Sequence, residues 1–336
     1  MKQLSTLFNS FINFIHTIRN RNLFFHFLKT ITIVSFIYLG NINAQTIIYV
    51  DSSKAVSGVG TSWATAYKTL KEATIYANNN TAVKQIQIAK GTYFPTTNTN
   101  RDSTFLISRG DIRLYGGYPS GGGVRNHATN PTILSGDIGV IGTQTDNSYH
   151  VMVIAGLAAG ADSVIIEGLN IRWGRAGSNS SNVSYNGVNV SRENGGGLSI
   201  ISNANNYKIN IINCIISGNW AGNAGGGALL ENTLAVFTNC LFSGNYADYG
   251  GAALNSSNTK YFNCTFAGNH DNYGGAGMRN SSSSPILTNC IMYGNNGGIS
   301  NNSSSPVITY SLIQGLTATT NGNLNGNTNN PLFVTS

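Results

Sequence analysis

The chain has 336 residues, 41% of them hydrophobic and only 9% charged, with Gly 40 and Cys 4. So much apolar content beside so little charge excludes a disordered chain. The formal charge of +7 is front-loaded: Lys2, Arg19, Arg21 and Lys29 precede residue 45, leaving 15 basic against 12 acidic groups, or +3, too weak and scattered for nucleic acid.

Residues 1–44 read as a signal peptide. "RNRNLFFHFLK" supplies positive charge, "TITIVSFIYLG" a short apolar run, and "NINAQ" a small residue, Ala44, at the cleavage point. The run from Ile31 to Leu39 is far short of the roughly 18 residues a membrane span needs, so no integral membrane protein is expected after cleavage.

Residues 45–82 hold a first strand, "IIYVD", and then a helix. Thr69 and Glu72 form a capping-box pattern, and Leu70, Ala73 and Ala77 share one helical face. Such a helix can cover the open end of a stack of strands.

Residues 83–336 are strand-like throughout. "VKQIQIAKGTYF", "DIRLYGGYP", "PTILSGD", "NSYHVMVIAG" and "DSVIIEGLNIRWG" come first, and regular repeats occupy about 195–315. "NCIISGN" (213–219), "NCLFSGN" (239–245), "NCTFAGN" (263–269) and "NCIMYGN" (289–295) recur at steps of 26, 24 and 26 residues. A second register runs between them: "GGGALLEN", "GGAALNSS", "GGAGMRNS" and "GGISNNSS". A fading copy, "PVITYSLIQG", parallels "PILTNCIMYG".

Short strands and turns, with no helical pattern between them, exclude leucine-rich and α/β repeats. No unit can bury its apolar face alone, so neighbours must stack. Units of this size fit one coil each of a parallel β-helix, with coils rising by about 4.8 Å. Nine or ten coils are expected in about 250 residues.

Stacking assigns roles to the repeated residues. Asn219, Asn245, Asn269 and Asn295 are expected to form an amide ladder. Glycines at 225–227, 250–251, 274–275 and 297–298 are expected to turn a corner. Period two places Ile212, Cys214 and Ile216, and their repeats Thr238, Cys240, Phe242, Phe262, Cys264, Phe266, Thr288, Cys290 and Met292, on one face. Leu229, Leu254, Met278 and Ile299 read as a further internal column.

At this point a resemblance emerges. "IYVDSS", "GTSWATAYKTLKEA", "IQIAKGTYFP", "IRLYGGYP", "PTILSGDIG" and "DNSYHVMVIAG" resemble the N-terminal part of secreted right-handed parallel β-helix proteins of the pectin-lyase-like superfamily. The "GGA-apolar" and "F-x-x-N" pairs, Gly250–Ala253, Phe242–Asn245 and Phe266–Asn269, resemble polymorphic outer-membrane protein repeats. "NPLFVTS" looks like the segment that closes the helix in such proteins. The resemblance spans about residues 47–334 and implies an all-β, right-handed parallel β-helix with a short N-terminal capping helix. It also implies a secreted or cell-surface location in a Gram-negative bacterium. It speaks for architecture more than for activity, because one fold hosts many functions.

The chemistry of individual residues is sparse. Four cysteines one coil apart lie along a line, whereas metal ligands converge on a point. They read as stacked small core residues, with a Cys214–Cys240 or Cys264–Cys290 bridge as the alternative. No catalytic residue, metal ligand or cofactor is assigned; Ca²⁺ enters only if the chain is a lyase. "GGAGMRN" approaches a calcium-binding repeat, but Arg279 stands where the liganding Asp belongs. Glu167, Arg172, Arg175, Arg192 and Glu193 are the densest charged group and read as outward residues of early coils. His127, His150 and His270 are isolated.

The remaining candidates are aromatic. Trp220, Tyr246 and His270 each follow a ladder asparagine, and Tyr249 and Tyr273 each precede a glycine pair. On stacked coils they form outward columns suited to a polysaccharide or a surface-protein partner. The leading expectation is a non-enzymatic scaffold for adhesion or glycan contact; the alternative is a polysaccharide lyase or glycoside hydrolase, which needs convergent carboxylates.

Overall fold

The computed structural model describes residues 46–157, 163–177, 181–202, 208–317 and 319–333. The expected signal peptide lies outside the described residues. Three long sheets organise the rest, and every strand pairing within them is parallel. The first face has nine strands, from Thr46–Val50 and Val83–Ala89 to Ile286–Thr288 and Val307–Thr309. The second also has nine, from Gly91–Tyr93 to Leu324–Asn325, and the third has seven, from Phe105–Ile107 to Ile299–Asn302. The chain visits the three faces in turn and then returns to the first, one coil further on. This is a parallel β-helix, as the repeats require.

The repeat spacing sets the register. Ile216 pairs with Phe242, Phe242 with Phe266, and Phe266 with Met292. All four are fully buried, and the Phe242 and Phe266 rings stack at 4.8 Å. Phe237 and Tyr261 stack beside them at 5.2 Å. Such pairs add about 0.5–1.5 kcal/mol each beyond the area they bury.

One expected face is corrected at its first member. Cys214 and Ile216 point inward, but Ile212, Thr238, Phe262 and Thr288 are half-buried on the outside. Their neighbours Ile211, Phe237, Tyr261 and Leu287 fill the core instead. The cause is a corner between the strands: Asn213, Asn239, Asn263 and Asn289 take φ of 51°, 54°, 54° and 56°. Asparagine tolerates the left-handed region, and the turn it makes breaks the alternation.

The column through Leu229, Leu254, Met278 and Ile299 is also corrected. Leu229 pairs with Leu254, but Leu254 pairs with Arg279, while Met278 pairs with Ile299. The coil beginning at Gly274 carries one extra residue, so Gly275 plays the part of Gly225 and Gly250. A one-residue slip exchanges the two faces of a strand. Leu229 and Leu254 therefore look outward, with Arg279 as their continuation.

Helix α1 (Leu70–Asn79) has the expected capping box, with Thr69 as N-cap and Glu72 as its partner. Leu70, Ala73, Thr74 and Ala77 are buried. The helix also treats a strand edge. Lys71 Nζ donates to the Thr104 carbonyl at 2.7 Å, and Asn78 Nδ2 to the Leu106 carbonyl at 2.9 Å. Asn78 Oδ1 accepts from the Ser108 N–H at 3.1 Å. These groups lie on or directly beside Phe105–Ile107, the outermost strand of the third face among the described residues.

Candidate functional site

The asparagine ladder builds the platform for the aromatic row. Asn219 Nδ2 donates to Asn245 Oδ1 at 3.0 Å, Asn245 Nδ2 to Asn269 Oδ1 at 3.0 Å, and Asn269 Nδ2 to Asn295 Oδ1 at 2.9 Å. All four asparagines are buried. Gly174 N–H donates to Asn219 Oδ1 at 2.9 Å at one end, and Gln314 pairs with the Asn295 backbone at the other.

Asn219, Asn245 and Asn269 are each followed by a two-residue strand, and these join Arg175–Ala176 in a fourth, short sheet. In it Arg175 pairs with Trp220, Trp220 with Tyr246, and Tyr246 with His270. Ala176, Ala221 and Ala247 fill the inward positions and are fully buried, which leaves the larger side chains outside. Tyr246 stacks on Trp220 with centroids 6.1 Å apart and planes 2° apart, and on His270 at 5.3 Å and 10°. These spacings are offset stacking, so the rings overlap like tiles and part of each face stays open. Arg175 closes the row at its other end, its guanidinium carbon 4.4 Å above the Trp220 ring.

Tyr249 and Tyr273 form a second, shorter row, with centroids 5.1 Å apart and a tilt of 30°. Tyr273 is 64% exposed. Arg279 lies over Tyr249 at 5.1 Å. Asn272 Nδ2 donates to Asp248 Oδ1 at 2.6 Å in the strip between the rows. The structure thus brings the five sequence-chosen residues into two adjacent outward columns.

Sequence reading missed Trp173 and the role of Arg175. Trp173 is 40% exposed at φ 63°, and Arg172 lies 3.8 Å over its ring. The signal was present: "IRWGRAG" aligns with "ISGNWAG", which places Trp173 at the corner glycine, Gly174 at the ladder asparagine and Arg175 at Trp220.

The charged group chosen from sequence does not converge. Glu167 accepts from Arg125 at 2.8 Å, Arg192 pairs with Asp102 at 2.7 Å, and Arg172 and Arg175 sit on different indoles. Other carboxylates hold backbone: Asp51 accepts from the Ser53 and Gly121 N–H groups, and Asp137 from Gly142. Asp271, inward at the end of the alanine column, is buried, and burial pushes its carboxyl up from the ordinary 3.8. Among the described residues no three His, Cys, Asp or Glu side chains form a metal-binding group.

The four cysteines are buried free thiols. Each lies near a carbonyl of the preceding coil, as Cys240 Sγ does at 3.3 Å from the Ile211 oxygen and Cys290 Sγ at 3.4 Å from that of Tyr261. Burial pushes the Cys214 thiol up to about 12, which leaves no thiolate for redox or metal chemistry near neutrality.

No protein-family model, no curated protein and no solved structure matches the chain. Among the described residues no helix is long and apolar enough to cross a membrane.

Proposed function

We propose that this chain is a non-enzymatic, secreted or cell-surface scaffold of the pectin-lyase-like β-helix type that contacts a glycan through its aromatic columns. The observation that carries the reading is the outward row Trp220–Tyr246–His270 beside Tyr249–Tyr273. Its rings repeat once per coil on a backbone fixed by a buried amide ladder, so the surface is ordered before any ligand arrives. Preorganised aromatic area costs little entropy on binding, and Tyr and Trp offer an apolar face with a polar edge. The use of carboxylates to hold arginines and backbone amides supports a scaffold over a hydrolase, whose paired carboxylates must face one bond.

The test is binding of the mature protein to a panel of soluble polysaccharides by affinity electrophoresis. Wild type is expected to be retarded by at least one polymer, and the pair Tyr246→Ala and Tyr249→Ala to lose most of that retardation while keeping its circular dichroism. Retardation unchanged by both substitutions overturns the site. Depolymerisation of any polymer, with or without Ca²⁺, overturns the non-enzymatic reading in favour of a lyase or hydrolase.

A further inference from the structure

The strands Asn182–Tyr185 and Val188–Ser191 form the one antiparallel pair among the described residues. Asn186 and Gly187 between them take φ of 49° and 77°, the positive pair that a tight hairpin turn demands. Alternation then divides the hairpin. Asn182, Ser184 and Asn189 are exposed, while Tyr185, Val188 and Val190 are buried. The buried side lies on Val153, Ala155, Ile201 and Leu229, outward residues of the third face, with Leu106 and Leu254 at the margin. The hairpin is therefore a strap over an apolar strip on the outside of the solenoid.

Polar contacts at both ends hold it down. Arg192 grips Asp102 with two bonds, Nε to Oδ1 at 2.7 Å and Nη2 to Oδ2 at 2.8 Å. The Tyr185 hydroxyl donates to the Asp102 carbonyl at 2.7 Å. At the turn, Asn186 Nδ2 donates to the Gly156 carbonyl at 2.8 Å.

His150 sits beneath this strap, fully buried, with Tyr185 edge-on at 6.3 Å. Its Nδ1 is 3.0 Å from the Gly195 carbonyl, which can only accept, so Nδ1 carries the hydrogen. Nε2 is buried without a partner. A second proton must go to Nε2, where no acceptor waits. The charged groups around the ring are Asp102 and Arg192, already paired with each other, so neither charge is free to compensate an imidazolium. Tyr185 is a neutral phenol.

We propose that His150 is an acid-sensitive latch, whose protonation at Nε2 releases the 182–191 hairpin and uncovers the apolar strip of the third face. The hairpin moves while the coils stay, because it lies on the solenoid and takes no part in the parallel ladders. Burial holds His150 down at about 4 against an ordinary 6.5. The closed form is thus fully favoured above pH 6.5 and loses ground as pH falls from 6.5 toward 4. If opening returns the ring to 6.5, the closed-to-open ratio falls about 30-fold between pH 7.5 and pH 5.0. The glycan reading is not required for any of this.

Hydrogen exchange of the full chain at the two pH values, corrected for the intrinsic rate, tests it. Protection of residues 182–192 is expected to fall about 30-fold at pH 5.0 while residues 209–211 and 235–237 keep theirs. An apolar fluorescent dye is expected to gain signal over the same range. In His150→Gln, which keeps a donor for the Gly195 carbonyl, and in His150→Phe, the hairpin is expected to lose its pH dependence. Equal hairpin protection at both pH values in wild type, or an undiminished pH dependence in whichever variant folds, overturns the proposal.

Discussion

Asn245 donates from Nδ2 to Asn269 Oδ1 at 3.0 Å, and its own backbone N–H reaches the same oxygen at 3.0 Å. Its Nδ2 also donates to the Ile216 carbonyl at 2.9 Å, while its Oδ1 accepts from Asn219. One buried amide therefore satisfies backbone and side chain in three successive coils. Truncation leaves several of these groups without partners in a site closed to water. Asn245→Ala is expected to destabilise by about 2–4 kcal/mol in urea unfolding. Asn245→Asp is expected to do no better, since a carboxylate cannot donate to Asn269 or Ile216. A loss under ~0.5 kcal/mol, the scale of an ordinary surface change, would show that the ladder is decorative.

The corner at Asn263 sets Tyr261 and Phe262 on opposite sides of the wall. Tyr261 is fully buried, stacked on Phe237 and bonded through its hydroxyl to Asn255 Oδ1 at 2.8 Å. Phe262 lies half-buried in an outer row with Thr238 and Thr288. Tyr261→Ala is expected to cost about 3–5 kcal/mol and Phe262→Ala about 1 kcal/mol or less. Equal losses in thermal or urea unfolding would restore the face that simple alternation assigns to Phe262.

That pair shows what the sequence made legible and where it failed. The 24- to 26-residue period gave the coil, the asparagine ladder and the inward cysteines, because stacked identical side chains need the same register in every repeat. It did not give the parity across the corner, since a left-handed Asn239 interrupts the alternation without changing the residue count. The extra Gly274 misled for a related reason: one inserted residue leaves the glycine motif intact and exchanges the faces beyond it. The hairpin was signalled by Asn186–Gly187 between alternating residues, yet the strong parallel repeat that follows it masked that local antiparallel pattern. Arg175 and Trp173 escaped because the first coil of the short sheet keeps the geometry of "GNW" with different residues.

The thiols offer a direct chemical check on the stacked core. Four free sulfurs buried away from solvent are expected to be silent to a thiol-reactive disulfide reagent in the native protein. All four are expected to react once the chain is unfolded. The melting temperature is expected to be the same with and without a reductant. Titration of only two thiols in denaturant, or a melting temperature lowered by the reductant, would indicate a bridge between neighbouring coils.

Two glycines separate conformation from space as reasons for the residue. Gly244 has φ 61°, and a Cβ there would meet nothing within 4 Å. Gly226 is not among the positive-φ residues, but a Cβ would lie 2.1 Å from the Tyr246 carbonyl oxygen and 2.7 Å from that of Gly251. Gly244→Ala should therefore cost only the left-handed penalty, about 1–2 kcal/mol, and Gly244→Asn less. Gly226→Ala must push whole strands apart, because both obstructing atoms are backbone, and Tyr246 belongs to the aromatic row. It is expected to cost more than 3 kcal/mol, in the range of severe overpacking, and to weaken any ligand bound along that row. Should Gly244→Ala prove the more damaging of the two in urea unfolding, corner conformation rather than coil-to-coil clearance would be what limits this wall.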